Sequence, residues 1–584
     1  MDEKKGLISE ADLKSALRIN QKRGDIVAKS IMKIMGYEKL NNLYLDLQGA
    51  NGDAFIDRFF EKMNLKIEFD EKDLNKIPAN GSFITISNHP MGMIDGLILL
   101  KLIRNKRPDF KVMANFLLRS IEEISDCFIG INPFEDINDK SNFSGIKETL
   151  AHLSDKNGLG IFPAGEVSSY QTNARRITDP MWKEGAVKLI QKAGVPVIPI
   201  YFSGGNSLLF HLMGVINPKL RTAQLPNEML RKRDAAFKVR IGTPIKPVTI
   251  ASFENTQTLS RFLRSKTYSL GSALKVHTQL FKRRKIIRNK IEEITPEIDS
   301  KLITEELNNL DGKQKIISQQ EFDIFIAYSN EIPNCLKEIG RLREITYRSV
   351  GEGTNKNSDL DEYDLYYHHL ILWDREAQKI AGAYRVGKGN DINTKFGIRG
   401  FYTNSLFKFS PKFNEIMSKS LELGRSFIRE EYQLKRLPLF LLWKGIMNFI
   451  LNNPEYRYII GPVSISGAYS KTSKKVMVAL IKKHYYNEEL AAMVKPRKRF
   501  RTKIKSQDVN DLVELMDNDL KQIDRLISDI EPLNFTLPVL LKKYINQNAK
   551  IISFNLDPDF NNTLDGLMIL DLNELPEESY KDFG

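Results

Sequence analysis

Two residue types that can activate a hydroxyl group lie close together in the segment Ser87–Gly96, which reads Ser-Asn-His-Pro-Met-Gly-Met-Ile-Asp-Gly. His89 can take a proton from a hydroxyl near neutral pH, and the Asp95 carboxylate can fix the tautomer and orientation of the imidazole. No serine or cysteine nucleophile accompanies the pair in a matching motif. The pattern therefore predicts direct activation of a substrate hydroxyl, without a covalent intermediate. The alternative is that Asp95 only caps a helix and His89 only packs.

The elements around this pair favour the chemical interpretation. An apolar strand, Phe83–Ile86, leads into the segment, and an apolar helical stretch, Leu97–Ile103, follows it. α/β proteins place their chemistry at such strand-to-helix turns. Pro90 and Gly92 specify an unusual backbone between the two side chains. We therefore predict that the turn presents a catalytic histidine and its acid.

The composition is that of a globular protein with a basic excess. The 584 residues include 87 Lys and Arg against 73 Asp and Glu, a formal net charge of +14, and 42% are hydrophobic. This charge favours an acidic partner, such as an acidic carrier protein, an anionic membrane surface or nucleic acid. The sequence has only two cysteines, Cys127 and Cys335, which lie far apart in the chain. They cannot supply a disulfide framework or a cysteine metal cluster, which fits a reducing cytoplasm. We predict no metal site.

Membrane contact is expected to be peripheral. No window reaches the roughly 18 to 20 apolar residues that a membrane span needs. The charged first five residues are not followed by the apolar stretch of a signal peptide. The expected location is the cytoplasm, at the inner face of the cytoplasmic membrane.

Strand and helix patterns alternate in two regions, from 83 to 241 and from about 320 to 572, which indicates two α/β domains. We predict domains over 1–270 and 317–584, joined by a basic helical linker over 271–316. The linker is most basic at Phe281–Lys290. Such a run is either a solvated face or an interfacial membrane contact.

Three further blocks accompany the His89 segment, namely Gly130–Phe134, Phe162–Ser168 and Val195–Asn206. In this order, the four blocks resemble the glycerolipid (lysophosphatidate-type) acyltransferase superfamily, and most closely its hemolysin-like branch. The resemblance covers roughly residues 40 to 250. It implies a mostly parallel sheet covered by helices. It also implies that His89 deprotonates an alcohol that attacks an acyl thioester.

The resemblance also suggests substrate-binding residues. The acid of the superfamily's Phe-Pro-Glu-Gly turn is replaced by Ala164, and Glu166 follows two positions later. The resemblance implies that Glu166 could take the catalytic, substrate-positioning role. Asn88 and the Gly165 backbone would contact the substrate. Arg175 or Arg176 could hold a carboxylate or phosphate, the alternative being solvated loop charges.

The second region contains several charged residues on predicted helices and strands. Arg343, Arg385 and Arg425 could bind an amino acid's carboxylate or a carrier phosphate, whereas Asp364 and Glu422 could bind a cationic amine or guide its deprotonation. Strand alternation places Glu422 and Arg425 on opposite faces. The alternative is a set of cross-strand ion pairs on a solvated face.

The order of these motifs resembles the N-acyltransferases related to acyl-homoserine-lactone synthases, and particularly their ornithine N-acyltransferase branch, over about residues 320 to 575. The resemblance implies a GNAT-like mixed sheet. The usual GNAT pyrophosphate loop is absent, and Ser466–Lys471 could bind part of the donor through its amides. We expect acyl carrier protein or acyl-coenzyme A as a co-substrate, and no resident cofactor.

Together, the two regions predict a bifunctional synthase of ornithine-type aminolipids. The C-terminal domain would place a 3-hydroxyacyl chain on an amino acid, either ornithine or a small one such as glycine. The N-terminal domain would then acylate the hydroxyl of the resulting lyso-aminolipid. One alternative is a lysophospholipid acyltransferase with a non-catalytic C-terminal domain. Another is a basic scaffold that binds membranes or nucleic acid, although we expect no nucleic-acid partner.

Overall fold

The computed structural model describes residues 36–115, 118, 121–131, 143–171, 176–216, 221, 224–282, 291–504, 506–531, 535–558 and 560–577. The chain divides into two compact units. The first runs to Gln279 and also includes Lys505–Leu515, and the second comprises Leu280–Ile504 and Met516–Gly584. The predicted bounds of 1–270, 271–316 and 317–584 did not include this return of the chain to the first unit.

The first unit contains a seven-stranded sheet in the order β1-β9-β8-β2-β5-β3-β4. Every neighbouring pair is parallel except β8–β9. The strands are β1 (Lys66–Glu68), β2 (Phe83–Ser87), β3 (Lys111–Asn115), β4 (Phe128–Ile131), β5 (Gly158–Ile161), β8 (Val197–Phe202) and β9 (Ala236–Ile241), while β6 (Ser169–Gln171) and β7 (Arg176–Thr178) form a separate hairpin.

Helices cover this sheet. They are α1 (Tyr37–Leu47), α2 (Asp53–Lys62), α3 (Glu71–Leu74), α4 (Met93–Arg104), α5 (Phe143–Ser154), α6 (Glu184–Ala193), α7 (Leu208–Ile216), α8 (Leu225–Leu230), α9 (Pro247–Ala251), α10 (Thr256–Lys282) and, from the returning segment, α19 (Gln507–Leu515).

Strand β2 and helix α4 position the predicted pair. All five residues of β2 are buried between β5 and β8, as expected for an apolar strand in a parallel sheet. Leu97, Ile98, Leu99 and Leu100 of α4 are fully buried in the core. Because both elements are fixed by apolar burial, the turn between them is held at the carboxyl end of the central strand.

The second unit contains an eight-stranded mixed sheet in the order β10-β11-β12-β13-β15-β16-β19-β18. Only β15 and β16 are parallel neighbours. The strands are β10 (Lys315–Gln319), β11 (Phe322–Tyr328), β12 (His368–Asp374), β13 (Lys379–Lys388), β15 (Ser420–Ile428), β16 (Tyr458–Ile465), β18 (Lys550–Asp557) and β19 (Thr563–Asp571), with β14 (Phe407–Phe409) and β17 (Val494–Pro496) paired separately.

The helices of this unit are α11 (Ser300–Asn308), α12 (Pro333–Ser349), α13 (Gly389–Phe396), α14 (Thr403–Leu406), α15 (Asn414–Ser418), α16 (Arg436–Leu451), α17 (Lys471–His484), α18 (Glu488–Ala491), α20 (Leu520–Ile530) and α21 (Val539–Asn546).

The parallel pair at the centre of the second sheet separates along its length. Strands β15 and β16 pair only over Ser420–Glu422 and the facing residues Tyr458–Ile460. Beyond this point, β15 continues on β13 and β16 continues on β19. The sheet is therefore split next to Glu422, where the predicted polar residues of this unit lie.

The predicted fold class is confirmed, with a mostly parallel first sheet and a mixed second sheet. The apolar pattern of the sequence predicts one helix over Val509–Ile530, but the structure has two helices there, α19 and α20, which belong to different units. In the described part of the chain, no helix combines the length and apolarity that a membrane span requires. Most of the basic stretch Phe281–Lys290 lies outside the described residues.

Candidate active sites

The turn after β2 brings His89 and Asp95 together. His89 Nδ1 lies 3.0 Å from Asp95 Oδ2, and the imidazole stacks on the Phe162 ring with 4.2 Å between centroids. The His89 side chain keeps 18% of its surface exposed, whereas Asp95 is fully buried. When Nδ1 carries the proton that Asp95 accepts, Nε2 is the basic nitrogen. This arrangement can deprotonate a hydroxyl that approaches the exposed side of the ring.

Asp95 also shapes the turn that carries it. Its Oδ2 accepts the backbone N–H groups of Met91 at 2.8 Å and Gly92 at 3.1 Å. Gly92 has a φ of 80°, a conformation that favours glycine. Burial raises the pKa of Asp95, while the contacts with His89 and the Met91 amide oppose that rise. One carboxylate therefore both caps the turn and contacts the imidazole, and its catalytic role stays a prediction.

The His89 backbone is held by Asp179, a residue that no sequence motif marked as positioning. Asp179 Oδ1 accepts the His89 N–H at 3.1 Å and also the Ser168 hydroxyl, and Oδ2 accepts Trp182 Nε1 at 3.3 Å. The Ser168 N–H donates to the His89 carbonyl at 2.7 Å. Both backbone polar groups of His89 are thus fixed by residues between β5 and α6. Because Asp179 binds a backbone N–H group of His89, no spacing of residue types in the sequence marks this contact.

Lys232 is a second buried residue near the pair that the sequence did not single out. Its Nζ donates to Asn206 Oδ1 at 2.6 Å, and burial lowers its pKa. Lys232 is close enough to Asp95 for each charge to affect the pKa of the other group. Its ammonium group also lies 4.0 Å from the Glu228 carboxylate, which interacts with Lys232 more strongly than Asp95 does.

The other predicted residues of this site lie around the same strand ends. The Asn88 amide bridges to β8, because it accepts Phe202 N–H at 2.8 Å and donates to the Phe202 carbonyl at 3.0 Å. Gly165 forms a turn with a φ of 67°, and its N–H donates to Phe162. Glu166 is partly exposed and accepts Arg221 Nη2 at 3.0 Å. Their substrate contacts stay predictions.

Of the two adjacent arginines predicted to bind substrate, the structure describes only one. Arg175 lies outside the described residues. Arg176 lies in β7, and its guanidinium donates to Asp508 on α19. A substrate-binding role for either residue stays a prediction.

In the second unit, four of the predicted residues form one buried cluster. Arg343 Nη1 donates to Asp364 at 2.8 Å, and Arg385 pairs with Asp361 and, at 3.3 Å, with Asp364. Arg425 Nη2 donates to Asp361 at 3.3 Å. Arg343 and Arg385 are at most 1% exposed, so the cluster is not a solvated face. Although burial alone raises the pKa of Asp364, the two guanidinium groups hold it well below its usual range.

Three donors of this cluster have no hydrogen-bond partner among the described residues: Arg343 Nε, Arg343 Nη2 and Arg385 Nη2. A buried donor without a partner costs roughly 1–3 kcal/mol, and more when it is charged. An anionic group bound here would remove that cost. The cluster is therefore suited to a carboxylate or a phosphate.

Glu422 lies beside this cluster, already engaged by three donors. It accepts the Tyr367 hydroxyl, the Thr403 N–H at 2.7 Å and the Tyr402 N–H at 3.0 Å, and burial raises its pKa. Arg385 stacks near Tyr367, with 5.2 Å between the guanidinium carbon and the ring centroid. Glu422 thus ties the start of α14 to the arginine cluster, and its action on an amine stays a prediction.

The predicted alternation along β15 breaks at Arg425. Its φ is 49°, and the register with β13 shifts so that Arg425 and Ser426 together face one β13 residue, Tyr384. At this bulge, the Arg425 guanidinium donates to the Tyr402 hydroxyl at 3.2 Å. The Tyr402 N–H in turn donates to Glu422. Strand periodicity alone could not show this, because the extra residue resets the pattern.

A further group of titratable residues is buried next to the strand split. Asp565 on β19 accepts the Ser464 hydroxyl of β16 at 2.8 Å, and Lys474 donates to the Asn562 carbonyl. Burial raises the pKa of Asp565 to about 7 and that of Glu352 to about 7, and it lowers the pKa of Lys474 to about 8. These groups can exchange protons near neutral pH.

Comparison with known proteins finds an acyltransferase match in each half of the sequence. Residues 27–277 match the family described as acyltransferase, and residues 342–443 match the acetyltransferase (GNAT) domain. The chain is 30% identical over 275 residues to a glycine N(alpha)-acyltransferase of Bacteroides thetaiotaomicron, covering 45% of this chain and 80% of the relative. The protein of the same name from Phocaeicola vulgatus is 27% identical over 301 residues, or 49% of this chain and 91% of the relative. A lyso-glycine lipid O-acyltransferase of P. vulgatus is 27% identical over 254 residues, covering 42% and 87%.

The fold and these matches define an acyltransferase with an acyltransferase-family domain and a GNAT domain in one polypeptide. More particularly, the chain belongs to the family of the B. thetaiotaomicron glycine N(alpha)-acyltransferase.

We predict that Asp95→Asn lowers acyl transfer by the first unit about 10²-fold or more, because the amide cannot stabilise the imidazolium that forms when His89 takes a proton. The measurement is kcat with an alcohol acceptor. Since Asn has nearly the same shape and can still accept a hydrogen bond, the melting temperature should change little. A folded variant with kcat within about twofold of the parent would contradict the role of the charge.

We also predict that Asp565→Asn weakens the pH dependence of stability of the second unit. The folded unit keeps a proton that the unfolded chain releases near pH 4, so stability falls as pH rises from about 4 to about 7, by at most about 1.4 kcal/mol per pH unit and per group. Urea unfolding at pH 5 and pH 7.5 measures this. In a Trp182→Phe background, fluorescence comes only from Trp373 and Trp443 of the second unit.

The matched control is Asp571→Asn. Asp571 lies at the end of the same strand, and its carboxylate pairs with Arg457. It should keep the pH dependence of the parent. Equal pH dependence in Asp565→Asn and the parent would contradict the raised pKa.

Proposed function

We propose that the protein makes amino-acid lipids by two successive acyl transfers. The second unit transfers a 3-hydroxyacyl chain to the amine of an amino acid, and the first unit then acylates the 3-hydroxyl of that chain. The contact between His89 Nδ1 and the buried Asp95 carboxylate carries this proposal, since it is the arrangement that a hydroxyl acceptor needs. Relatives named for N-acylation and for lysolipid O-acylation support the pairing of the two reactions.

The chemistry sets the order of the two steps. In the first, the amine nitrogen attacks the thioester carbonyl, the thiolate leaves and the nitrogen loses a proton, which forms an amide. In the second, His89 takes the proton of the 3-hydroxyl as its oxygen attacks a second thioester, and another thiolate leaves. The hydroxyl used in the second step arrives on the chain installed by the first, so the amide must form before the ester.

The arginine cluster of the second unit supports an amino acid as the acceptor. An amino acid carries a carboxylate and an ammonium group, and the cluster offers both complements. The unpartnered donors of Arg343 and Arg385 suit the carboxylate, and Asp361 and Asp364 suit the ammonium group. We place glycine first, because relatives for both reactions carry glycine in their names. Ornithine, whose side chain adds a second cation, is the alternative.

The proposed donor is acyl carrier protein, with acyl-coenzyme A as the alternative. A net charge of +14 favours association with an acidic carrier and with the anionic inner face of the cytoplasmic membrane. The lyso-aminolipid is amphiphilic, so a protein bound to that surface would meet its substrate there. We propose no resident cofactor and no nucleic-acid partner.

Separate variants should stop the two reactions separately. His89→Ala should lower ester formation on supplied lyso-aminolipid at least about 10²-fold, and it should leave amide formation unchanged. Arg343→Lys keeps a cation beside Asp364 but loses the unpartnered donors, so KM for the amino acid should rise about tenfold or more while ester formation persists. Both rates are measured on the full chain with radiolabelled acyl donor.

His152→Gln is the matched control for His89→Ala, because His152 lies on α5 and contacts the Gly158 carbonyl. It should keep both activities. Ester formation that survives His89→Ala would reject the proposed role of the first unit. Rapid acylation of lysophosphatidate without acylation of lyso-aminolipid would favour a lysophospholipid acyltransferase instead.

The identity of the acceptor can be read from a host that expresses the chain. Growth with ¹³C-labelled glycine or ¹³C-labelled ornithine, followed by mass spectrometry of the lipids, should show a new diacylated lipid with the glycine label. Its monoacylated precursor should accumulate with His89→Ala. A new lipid that carries only the ornithine label would overturn the choice of glycine and leave the two-step scheme intact.

A further inference from the structure

Helix α19 lies in the first unit although its sequence follows more than 200 residues of the second. Residues Lys505–Leu515 belong to the first unit, while Leu280–Ile504 and Met516–Gly584 on either side belong to the second. Asp508 on this helix is 2% exposed. A buried carboxylate needs compensating partners. The partners of Asp508 are connected by hydrogen bonds to the turn that carries His89.

Two arginines of the first unit converge on Asp508. Arg264 from α10 donates to Asp508 Oδ1, and Arg176 from β7 donates to Oδ2. Both oxygens of the carboxylate are therefore used. The Arg264 guanidinium also lies 4.4 Å from the centroid of the Tyr268 ring, which fixes its plane.

Arg264 also contacts Asp179, the residue that holds the His89 backbone. Its Nη2 donates to Thr178 Oγ1 at 2.7 Å and to the Asp179 carbonyl at 3.4 Å. The Asp179 N–H donates to the Tyr268 hydroxyl oxygen at 2.9 Å. The Asp179 carboxylate in turn accepts the His89 N–H at 3.1 Å. Only Arg264 and Asp179 thus separate Asp508 from the His89 backbone.

We infer that Asp508 is a positioning residue for the His89–Asp95 pair, so that the ester-forming site includes a helix from the C-terminal half of the sequence. This inference rests on the proposed ester-forming activity of His89. Asp508 does not touch the reacting atoms. It orients Arg264, which fixes Asp179 and through it the imidazole, and a displacement of about 1 Å at such a base can cost about 10²-fold in rate.

The test uses the full chain with Asp508→Asn. We expect kcat for ester formation to fall between about 10-fold and 100-fold. KM for the lyso-aminolipid should change less than about threefold and amide formation less than about twofold, since Asp508 contacts neither substrate. Rates are taken per folded molecule, with the folded fraction measured by circular dichroism and gel filtration, so that a loss of folded protein does not count as a loss of kcat.

Asp511→Asn is the matched control, because Asp511 lies on the same helix and pairs with Arg261, whose side chain is 43% exposed. It should leave kcat within about twofold. Arg264→Gln should lower kcat as Asp508→Asn does, and the double variant should lower it no further, since both substitutions break one chain of contacts. Additive losses would overturn the inference.

If Asp508→Asn does not fold, Asp508→Glu keeps the charge and displaces it by one methylene group. We expect that variant to fold and to lose kcat by about fivefold or more. His89→Ala is measured alongside. Ester formation that survives His89→Ala rejects the proposed function, whereas an inactive His89→Ala together with a fully active Asp508 variant rejects only the positioning role.

Discussion

The first unit depends on one buried carboxylate. Asp95 has no contact with solvent, yet its Oδ2 receives the His89 ring and two backbone N–H groups of the turn. Removing a charge from water is costly, and these three donors offset that cost only while the turn keeps its shape. The geometry of the turn and the orientation of the base are therefore the same constraint. Strand β2, helix α4 and the loop that carries Asp179 all serve to maintain it.

The second unit meets a related constraint in a different way. Arg343, Arg385 and Arg425 are buried with Asp361 and Asp364, so the charges compensate one another. The compensation is incomplete, because donors of Arg343 and Arg385 have no partner among the described residues. In the first unit one oxygen of a buried carboxylate, Asp95 Oδ2, holds the imidazole and the turn, while Oδ1 has no hydrogen-bond partner among the described residues. In the second, positive groups are left partly unpaired, as a site for an anion requires.

Local spacing predicted much of the fold and part of each site. Strand β2, helix α4 and the His89–Asp95 pair were predictable because apolar runs and separation along the chain are local properties. The contacts of Asp179 were not, since a carboxylate that binds backbone atoms leaves no pattern. The bulge at Arg425 was also hidden, because one inserted residue reverses the alternation on which the prediction relied. The break between α19 and α20 did carry a local signal, because Asp517, Asn518 and Asp519 are turn-forming residues and Asp519 caps α20, but the apolar periodicity on both sides outweighed it in the prediction.

The return of α19 to the first unit has a consequence for synthesis on the ribosome. The 224 residues between Lys282 and Gln507 must be translated before this helix exists. At roughly 5–20 residues per second, this takes on the order of 10–45 s. During that interval Arg176 and Arg264 lack the carboxylate that neutralises them, although the sheet around them is already complete in sequence. A nascent or prematurely terminated chain that stops short of α19 thus carries two arginines without their carboxylate partner near the His89–Asp95 pair, and the two units complete their folds nearly together.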